Sequence, residues 1–251
     1  MAFGILGVGH LARSIIIRLL DSGVKPGDLV LSARGQGSQV GAKYGIPVMA
    51  SNAELVRRCK VVLLSVRPRD AVTALASLPW SEGHVVVSAC AGIAIARLQE
   101  AAPAARITRV MPLTACELGA SPTTIFPDLT AARPLIDPLG PVIVLRDEQE
   151  FETATVSAAT YGWAQDLIRQ SAQWLARQGV EPATARQLMA RTFVAAGRMA
   201  DEAEGDLDEI LRQLVTPGGI TELGLKTLAR REVPSAWAEA SDAVLARLRE
   251  R

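Results

Sequence analysis

An apolar run, Phe3 to Leu6, leads straight into Gly7-Val8-Gly9-His10-Leu11-Ala12, and then into Ile15, Ile16, Leu19 and Leu20 at helical spacing. Strand, tight glycine turn and helix in that order leave few folds open to the chain. Gly7 permits the turn, Gly9 lets the backbone approach a pyrophosphate, and Ala12 is small enough for helix and strand to pack closely. The free N–H groups and positive dipole end of the helix favour a phosphate. Gly7, Val8, Gly9, His10, Leu11 and Ala12 are therefore candidate dinucleotide contacts. Alone, the glycine pattern also describes a tight turn in any α/β core. Its phase between a strand and a helix, with further βα units behind it, favours the nucleotide.

Up to about residue 146 the pattern repeats. Short β-type runs are expected at Phe3–Leu6, Leu29–Ser32, Val61–Val66, Val85–Ser88, Ile107–Val110, Thr123–Phe126 and Val142–Leu145. Most of the early runs are near-continuous Val, Leu and Ile, as in parallel strands covered on both faces. Helical stretches lie between them, at Leu11–Asp21, Ala53–Cys59, Arg69–Leu78 and Ala94–Ala101, with Asn52 expected to cap the second. Alternating β and α predicts an α/β fold with an N-terminal doubly wound sheet of the Rossmann type.

Past Asp147 the strand-like runs vanish. Glu148 to Gln178 reads as one long helix and Pro182 to Ala203 as another, followed by Leu207–Leu214, Glu222–Arg230 and Ser235–Arg249. Gly179, Gly205, Gly218 and Gly219 punctuate the ends. Two domains follow, 1–147 and 148–251, the second all-α. Long Ala-rich helices of this kind are commonly buried against a partner, so a homodimer through the C-terminal helices, open to a higher oligomer, is expected.

Bulk properties narrow the function. Lys and Arg number 27 against 26 Asp and Glu, a balance that argues against a nucleic-acid or polyanion surface. Cys59, Cys90 and Cys116 are odd in number and widely spaced, which disfavours a disulfide framework or zinc site and fits a reducing cytoplasm. The start lacks a basic region, so it reads as a buried strand rather than a signal peptide. No apolar run approaches the roughly 20 residues of a bilayer span, and no membrane partner is expected. Two histidines, His10 and His84, give little material for a metal centre, and none is expected.

The end of the second strand chooses the dinucleotide. It reads Leu31-Ser32-Ala33-Arg34-Gly35-Gln36-Gly37-Ser38, with no acid to hold ribose hydroxyls. Arg34 instead offers a planar cation to a 2′-phosphate, and Ser32 and Ser38 offer hydroxyls. NADP(H) is the expected cofactor.

Four further segments carry a family resemblance. Leu64-Ser65-Val66-Arg67-Pro68, Ser88-Ala89-Cys90-Ala91-Gly92-Ile93, Arg109-Val110-Met111-Pro112 and Val215-Thr216-Pro217-Gly218-Gly219-Ile220-Thr221 stand in the order seen in pyrroline-5-carboxylate reductases. The chain resembles that family over nearly its whole length. The resemblance implies an NADP domain followed by a helical domain that interlocks between subunits. It implies NADPH-dependent hydride transfer to the C=N bond of a cyclic imino acid, as in proline biosynthesis. It places Val66, Arg67 and Pro68 beside the nicotinamide half of the cofactor and Ala91 and Gly92 beneath the ring. The substrate carboxylate then falls to the turn of Thr216, Gly218, Gly219 and Thr221, where helix-start amides and a hydroxyl can bind an anion.

Two segments depart from the pattern. The family's Asn after Met-Pro is Leu113 here. Its Gly-Ser-Gly-Pro-Ala-Tyr is Ala159-Thr160-Tyr161-Gly162-Trp163-Ala164. No catalytic residue is identified; Tyr161, Thr192 and Glu202 are the candidate proton donors. Two alternatives stay open. One is a non-catalytic dinucleotide-binding regulatory or interaction protein. The other is a β-hydroxyacid dehydrogenase, which wants a lysine on the long helix; the only lysines are Lys25, Lys43, Lys60 and Lys226.

Overall fold

The computed structural model describes residues 2–250. The chain divides into two compact units. One runs through Ala158 and takes in the C-terminal stretch from Leu245; the other is Ala159–Val244.

The first unit is built on eight strands: β1 (Phe3–Leu6), β2 (Leu29–Ser32), β3 (Val48–Met49), β4 (Val61–Leu64), β5 (Val85–Ser88), β6 (Arg106–Met111), β7 (Thr123–Phe126) and β8 (Val142–Val144). They lie in the order β3-β2-β1-β4-β5-β6-β7-β8. The first six pair in parallel, β7 runs antiparallel to β6, and β8 is parallel to β7. This is the doubly wound order expected from the sequence. The chain reverses direction across the sheet between β1 and β4, which opens a crevice at the C-terminal ends of those two strands.

Every residue of β1, β2, β4 and β5 is buried. Period-2 alternation sends them into two cores. Ile5, Leu31, Leu63 and Val87 face one side, where α1 (His10–Asp21), α2 (Gly37–Tyr44) and later α6 (Arg133–Ile136) contribute Ile15, Ile16, Val40 and Leu135. Leu6, Val30, Val62, Leu64 and Val86 face the other, against Leu55 of α3 (Asn52–Arg58), Leu75 of α4 (Ala71–Leu75) and Leu98 of α5 (Ile95–Ala101). Two packed faces explain why these strands read as continuous apolar runs.

Several local expectations shift. β4 stops at Leu64 rather than Val66, and β3 has no counterpart among the predicted strands. Asn52 is not the cap of α3: Ser51 is, its Oγ accepting the Glu54 N–H at 3.2 Å. The Ser-x-x-Glu spacing of a capping box was the available signal. The helix expected over Arg69–Leu78 is a 3-10 turn at Pro68–Asp70 followed by the short α4.

The helix expected over Glu148–Gln178 is two helices, α7 (Glu148–Ala154) and α8 (Ser157–Arg177). Asp147 caps α7, its Oδ1 accepting the Glu150 N–H at 2.7 Å. At the other end buried Thr155 donates its hydroxyl to the Phe151 carbonyl at 2.9 Å. The Thr155 N–H bonds the same carbonyl at 3.0 Å, so the helix ends on a doubly used acceptor, without glycine or proline. The composition changes at 147/148, whereas α7 packs on the sheet through ion pairs to Arg109 of β6.

The second unit holds most of α8, α9 (Pro182–Glu202), α10 (Leu207–Leu214), α11 (Ile220–Arg230) and the greater part of α12 (Val233–Arg249). Among its described residues only Ala185 is buried. Leu207, Leu211 and Leu214 of α10 and Ile220, Leu223 and Leu228 of α11 are all exposed. Trp163 of α8 packs edge-on against Trp237 of α12, with ring centroids 5.6 Å apart.

Candidate functional site

The residues singled out from the sequence fall into two groups, one in each unit. The first group surrounds the crevice between β1 and β4. Gly7 turns with φ +87°, and a Cβ there would lie 2.5 Å from Val66 Cγ1 and 2.8 Å from the Ser65 carbonyl oxygen. Only glycine fits this turn. Gly9 differs: a Cβ there would meet nothing within 4 Å. The space above Gly9 is open, as a backbone cradle for a phosphate requires. α1 has no side-chain cap, and the first amide to bond back is that of Arg13, to the Gly9 carbonyl at 3.0 Å. The amides of His10, Leu11 and Ala12 are left pointing out of the helix start. Ala12 itself is fully buried, where it packs helix on strand.

Ser32 has a part in the glycine turn itself. It is buried, and its Oγ accepts the Gly7 N–H at 3.0 Å. Its hydroxyl oxygen thereby shapes the glycine turn. Gly7 accordingly has no amide to offer. Val8 is also buried; its carbonyl accepts the Gln36 N–H at 2.9 Å, which ties the loop after β2 to the loop after β1.

Arg34 is exposed and lines a cleft of about 410 Å³ together with Gly7, Val8, Gly9, Val66, Arg67 and Arg69. Three guanidinium groups border this cleft, and Asp70, 3.9 Å from Arg69 Nε, is the one acid on its lining. In a chain of net charge +1 that is a local concentration of positive potential. Arg69 and Gly35 belong to the lining although the sequence reading passed over them; Arg69 stands only two residues beyond Arg67. The residues fit a dinucleotide phosphate: open space over Gly9, free amides at a helix start, and cations beside them.

Pro68 opens its 3-10 turn and borders a neighbouring cleft of about 730 Å³ with Arg67, Ile93 and Arg97. Gly92, with φ +72°, borders a third, of about 380 Å³, with Arg109, Glu148 and Glu152. Cys90 lies buried beside this loop, its thiol pushed up to about 11 chiefly by burial, so it stays protonated and is no nucleophile. Leu113, in place of the family's Asn, is buried and offers no polar side-chain contact.

The second group is the turn between α10 and α11. Gly218 has φ +73° and Gly219 caps α11, which begins at Ile220. Thr221 is therefore the second residue of the helix, not its cap. The Gly219 N–H bonds the Thr216 carbonyl at 2.9 Å, and the Gly218 N–H is taken by Glu222 Oε2 at 2.9 Å. Lys226 lies 2.8 Å from Glu222 Oε1, and this ammonium, with the Gly218 amide, holds the Glu222 carboxyl below its ordinary range. The first amide of α11 to bond back is that of Leu223, to the Gly219 carbonyl at 3.1 Å, so the donors left at the turn are the Ile220, Thr221 and Glu222 amides and the hydroxyls of exposed Thr216 and Thr221.

Of the candidate proton donors, Thr192 donates to the Leu188 carbonyl at 2.9 Å and Glu202 pairs with Arg198 at 2.9 Å; Tyr161 is half-buried. Among the described residues no group of His, Cys, Asp and Glu could hold a metal ion.

Comparison with known proteins agrees with both halves. Residues 148–251 match the family model for pyrroline-5-carboxylate reductase dimerisation, and residues 2–92 match that of the coenzyme F420-dependent NADP oxidoreductases. The chain is thus similar to the pyrroline-5-carboxylate reductases, in its helical half by family model and along its length by sequence. It is 27% identical to the pyrroline-5-carboxylate reductase of Synechocystis sp., over 98% of this chain and 97% of that one. It is 29% identical to that of Pseudomonas aeruginosa, over 88% and 86%. The crystal structure of the Plasmodium falciparum pyrroline carboxylate reductase with NADP bound shares the fold, with a TM-score of 0.88 at 19% identity, over 100% of this chain and 97% of that one. In this chain the segment Ala159–Ala164 lies inside α8, and its Trp163 is occupied with Trp237.

Proposed function

We propose that the chain is an NADPH-dependent reductase of a small cyclic imino acid, with pyrroline-5-carboxylate the first substrate to test. The observation that carries this reading is a dimerisation-type helical half, matched over residues 148–251, joined to a glycine turn whose open cradle is bordered by arginines. Relatives that match this chain along nearly their whole length are named for that reaction.

When bound, NADPH supplies the hydride; the protein's own residues bind and orient. The His10, Leu11 and Ala12 amides face the pyrophosphate across the space above Gly9. Arg34 is assigned to the 2′-phosphate, and Val66, Arg67 and Pro68 to the nicotinamide half. Ala91 and Gly92 floor the ring. In the second unit the Ile220 and Thr221 amides and the Thr216 and Thr221 hydroxyls hold the substrate carboxylate, and Gly218 and Gly219 shape that turn. A protonated cyclic imine is already electrophilic, so reduction rests on proximity and needs no strong acid from the protein.

The open apolar faces of α10 and α11 favour a homodimer closed through the C-terminal helices. Among the described residues no helix is long and apolar enough to cross a membrane. Three free, buried cysteines fit a reducing cytoplasm. The test is consumption of NADPH in the presence of pyrroline-5-carboxylate. Turnover that requires the imine supports the reading. No turnover with it or with a panel of related cyclic imines would assign the chain to dinucleotide binding without catalysis.

A further inference from the structure

Arg109 is among the largest fully buried side chains in the described protein, only 1% exposed, yet it projects from a strand in the middle of the sheet. Its two terminal nitrogens reach two different carboxylates of α7. One bonds Glu148 Oε1 at 3.0 Å and the other Glu152 Oε2 at 2.5 Å, while the guanidinium lies 4.7 Å over the Phe151 ring. Arg109 Nε and Glu152 Oε1 are buried without a partner. Desolvation cancels most of what such a buried ion cluster gains in attraction, so stability alone is a poor reason to keep it.

Glu148 does something more. The same Oε1 accepts the Ile95 N–H at 2.7 Å. Ile95 is the first residue of α5, and Ala94, at the cap position, has no side chain to offer. Glu148 thus caps α5 from another element. At the other end of the preceding loop, Ser88 of β5 is paired in register with Arg109 of β6. The segment from Ala89 to Ala94, which contains Ala91 and Gly92, is therefore held at both ends. The β5–β6 backbone ladder holds its entry, and Glu148, gripped by the Arg109 side chain, holds its exit.

We infer that Glu148, held in place by Arg109, is a positioning residue that sets the floor formed by Ala91 and Gly92 beneath the nicotinamide ring. The inference rests on the reading above that this loop carries the ring. It separates the two halves of the cofactor: the device touches the nicotinamide loop and not the Arg34 end of the site.

The test compares binding of NADPH with that of 2′,5′-ADP, which carries only the adenosine half. Glu148→Ala weakens NADPH about tenfold, the scale of one lost hydrogen bond to a charged group, and leaves 2′,5′-ADP unchanged. Glu148→Gln keeps an oxygen for the Ile95 amide and restores NADPH binding. Ile95→Pro deletes the donor together with the Ile95 side chain that packs on the core, and Ile95→Ala, which loses the side chain but keeps the amide, is its control. Proline is accepted at the first position of a helix after the extended Ala94, so Ile95→Pro reproduces the selective loss, and Ile95→Ala does not, even if Glu148→Ala does not fold. Equal weakening of both ligands, or of neither, overturns the inference. Ala91→Trp, which obstructs the floor itself, tells the two levels apart. If it spares NADPH binding, the nicotinamide reading of the loop has failed. If it weakens NADPH while the Glu148 and Ile95 variants do not, the positioning inference alone has failed.

Discussion

Gly7 and Gly9 sit two residues apart and do unlike work. Gly7 is required by the fold, because its turn has positive φ and its Cβ would strike Val66 and Ser65. Gly9 is free of that constraint; nothing in the protein fills the space its Cβ would enter. Gly9→Val should therefore leave the melting temperature within about 2 °C of the parent, since a surface substitution without clash costs within about 0.5 kcal/mol. It should abolish measurable NADPH binding. A variant that binds NADPH normally would show that the phosphates lie elsewhere. Arg34 makes a second residue-level claim. Arg34→Ala should weaken NADPH roughly tenfold to a hundredfold, by loss of charge-assisted hydrogen bonds, and leave NADH nearly unchanged. Proportionate loss of both coenzymes would mean that Arg34 does not read the extra phosphate. Titration calorimetry measures both variants.

At the scale of elements, the start of α11 is the helix end to which the proposed function assigns the substrate carboxylate. The Glu222 carboxylate has claimed the Gly218 amide, so an anion is left with the Ile220, Thr221 and Glu222 amides and the Thr221 hydroxyl. Thr221→Ala should raise the KM for the imino acid about tenfold while changing the KM for NADPH little, and steady-state kinetics with each substrate varied would show it. Equal effects would remove the carboxylate from this turn.

Much of the element layout was legible in the sequence. β1, β2, β4 and β5 are buried on both faces, which forces the Val/Leu/Ile runs by which they were recognised. What escaped notice was decided by tertiary contacts. The break after Ala154 falls where no glycine or proline stands, so the apolar pattern runs through it without a sign. β3 is two residues long, too short for any periodicity. Ser32 reads as a hydroxyl at a strand end, and only its partner, the Gly7 amide, shows that it faces inward. Arg109 in an apolar strand was a visible oddity, but its carboxylate partners lie some forty residues away, at separations of 39 and 43 positions.

For the whole molecule, the contrast between the two units is the main physical fact. The first buries two cores against one sheet. The second leaves Leu207, Leu211, Leu214, Ile220 and Leu223 exposed and buries only Ala185 among its described residues. Helices with that much open apolar surface are stabilised by packing against something, and the match of residues 148–251 to a dimerisation model points to a second copy of the chain. Leu211→Glu places a charge in the middle of the α10 stripe and should shift the particle from dimer or larger to monomer in light scattering coupled to size exclusion. An unchanged mass would exclude this face from the interface.

The most direct trial of the account is a calorimetric titration of the unmodified protein with NADPH and, separately, with NADH. The account predicts saturable binding of NADPH, clearly tighter than that of NADH, at one site per chain. The absence of a binding isotherm for either coenzyme would contradict it.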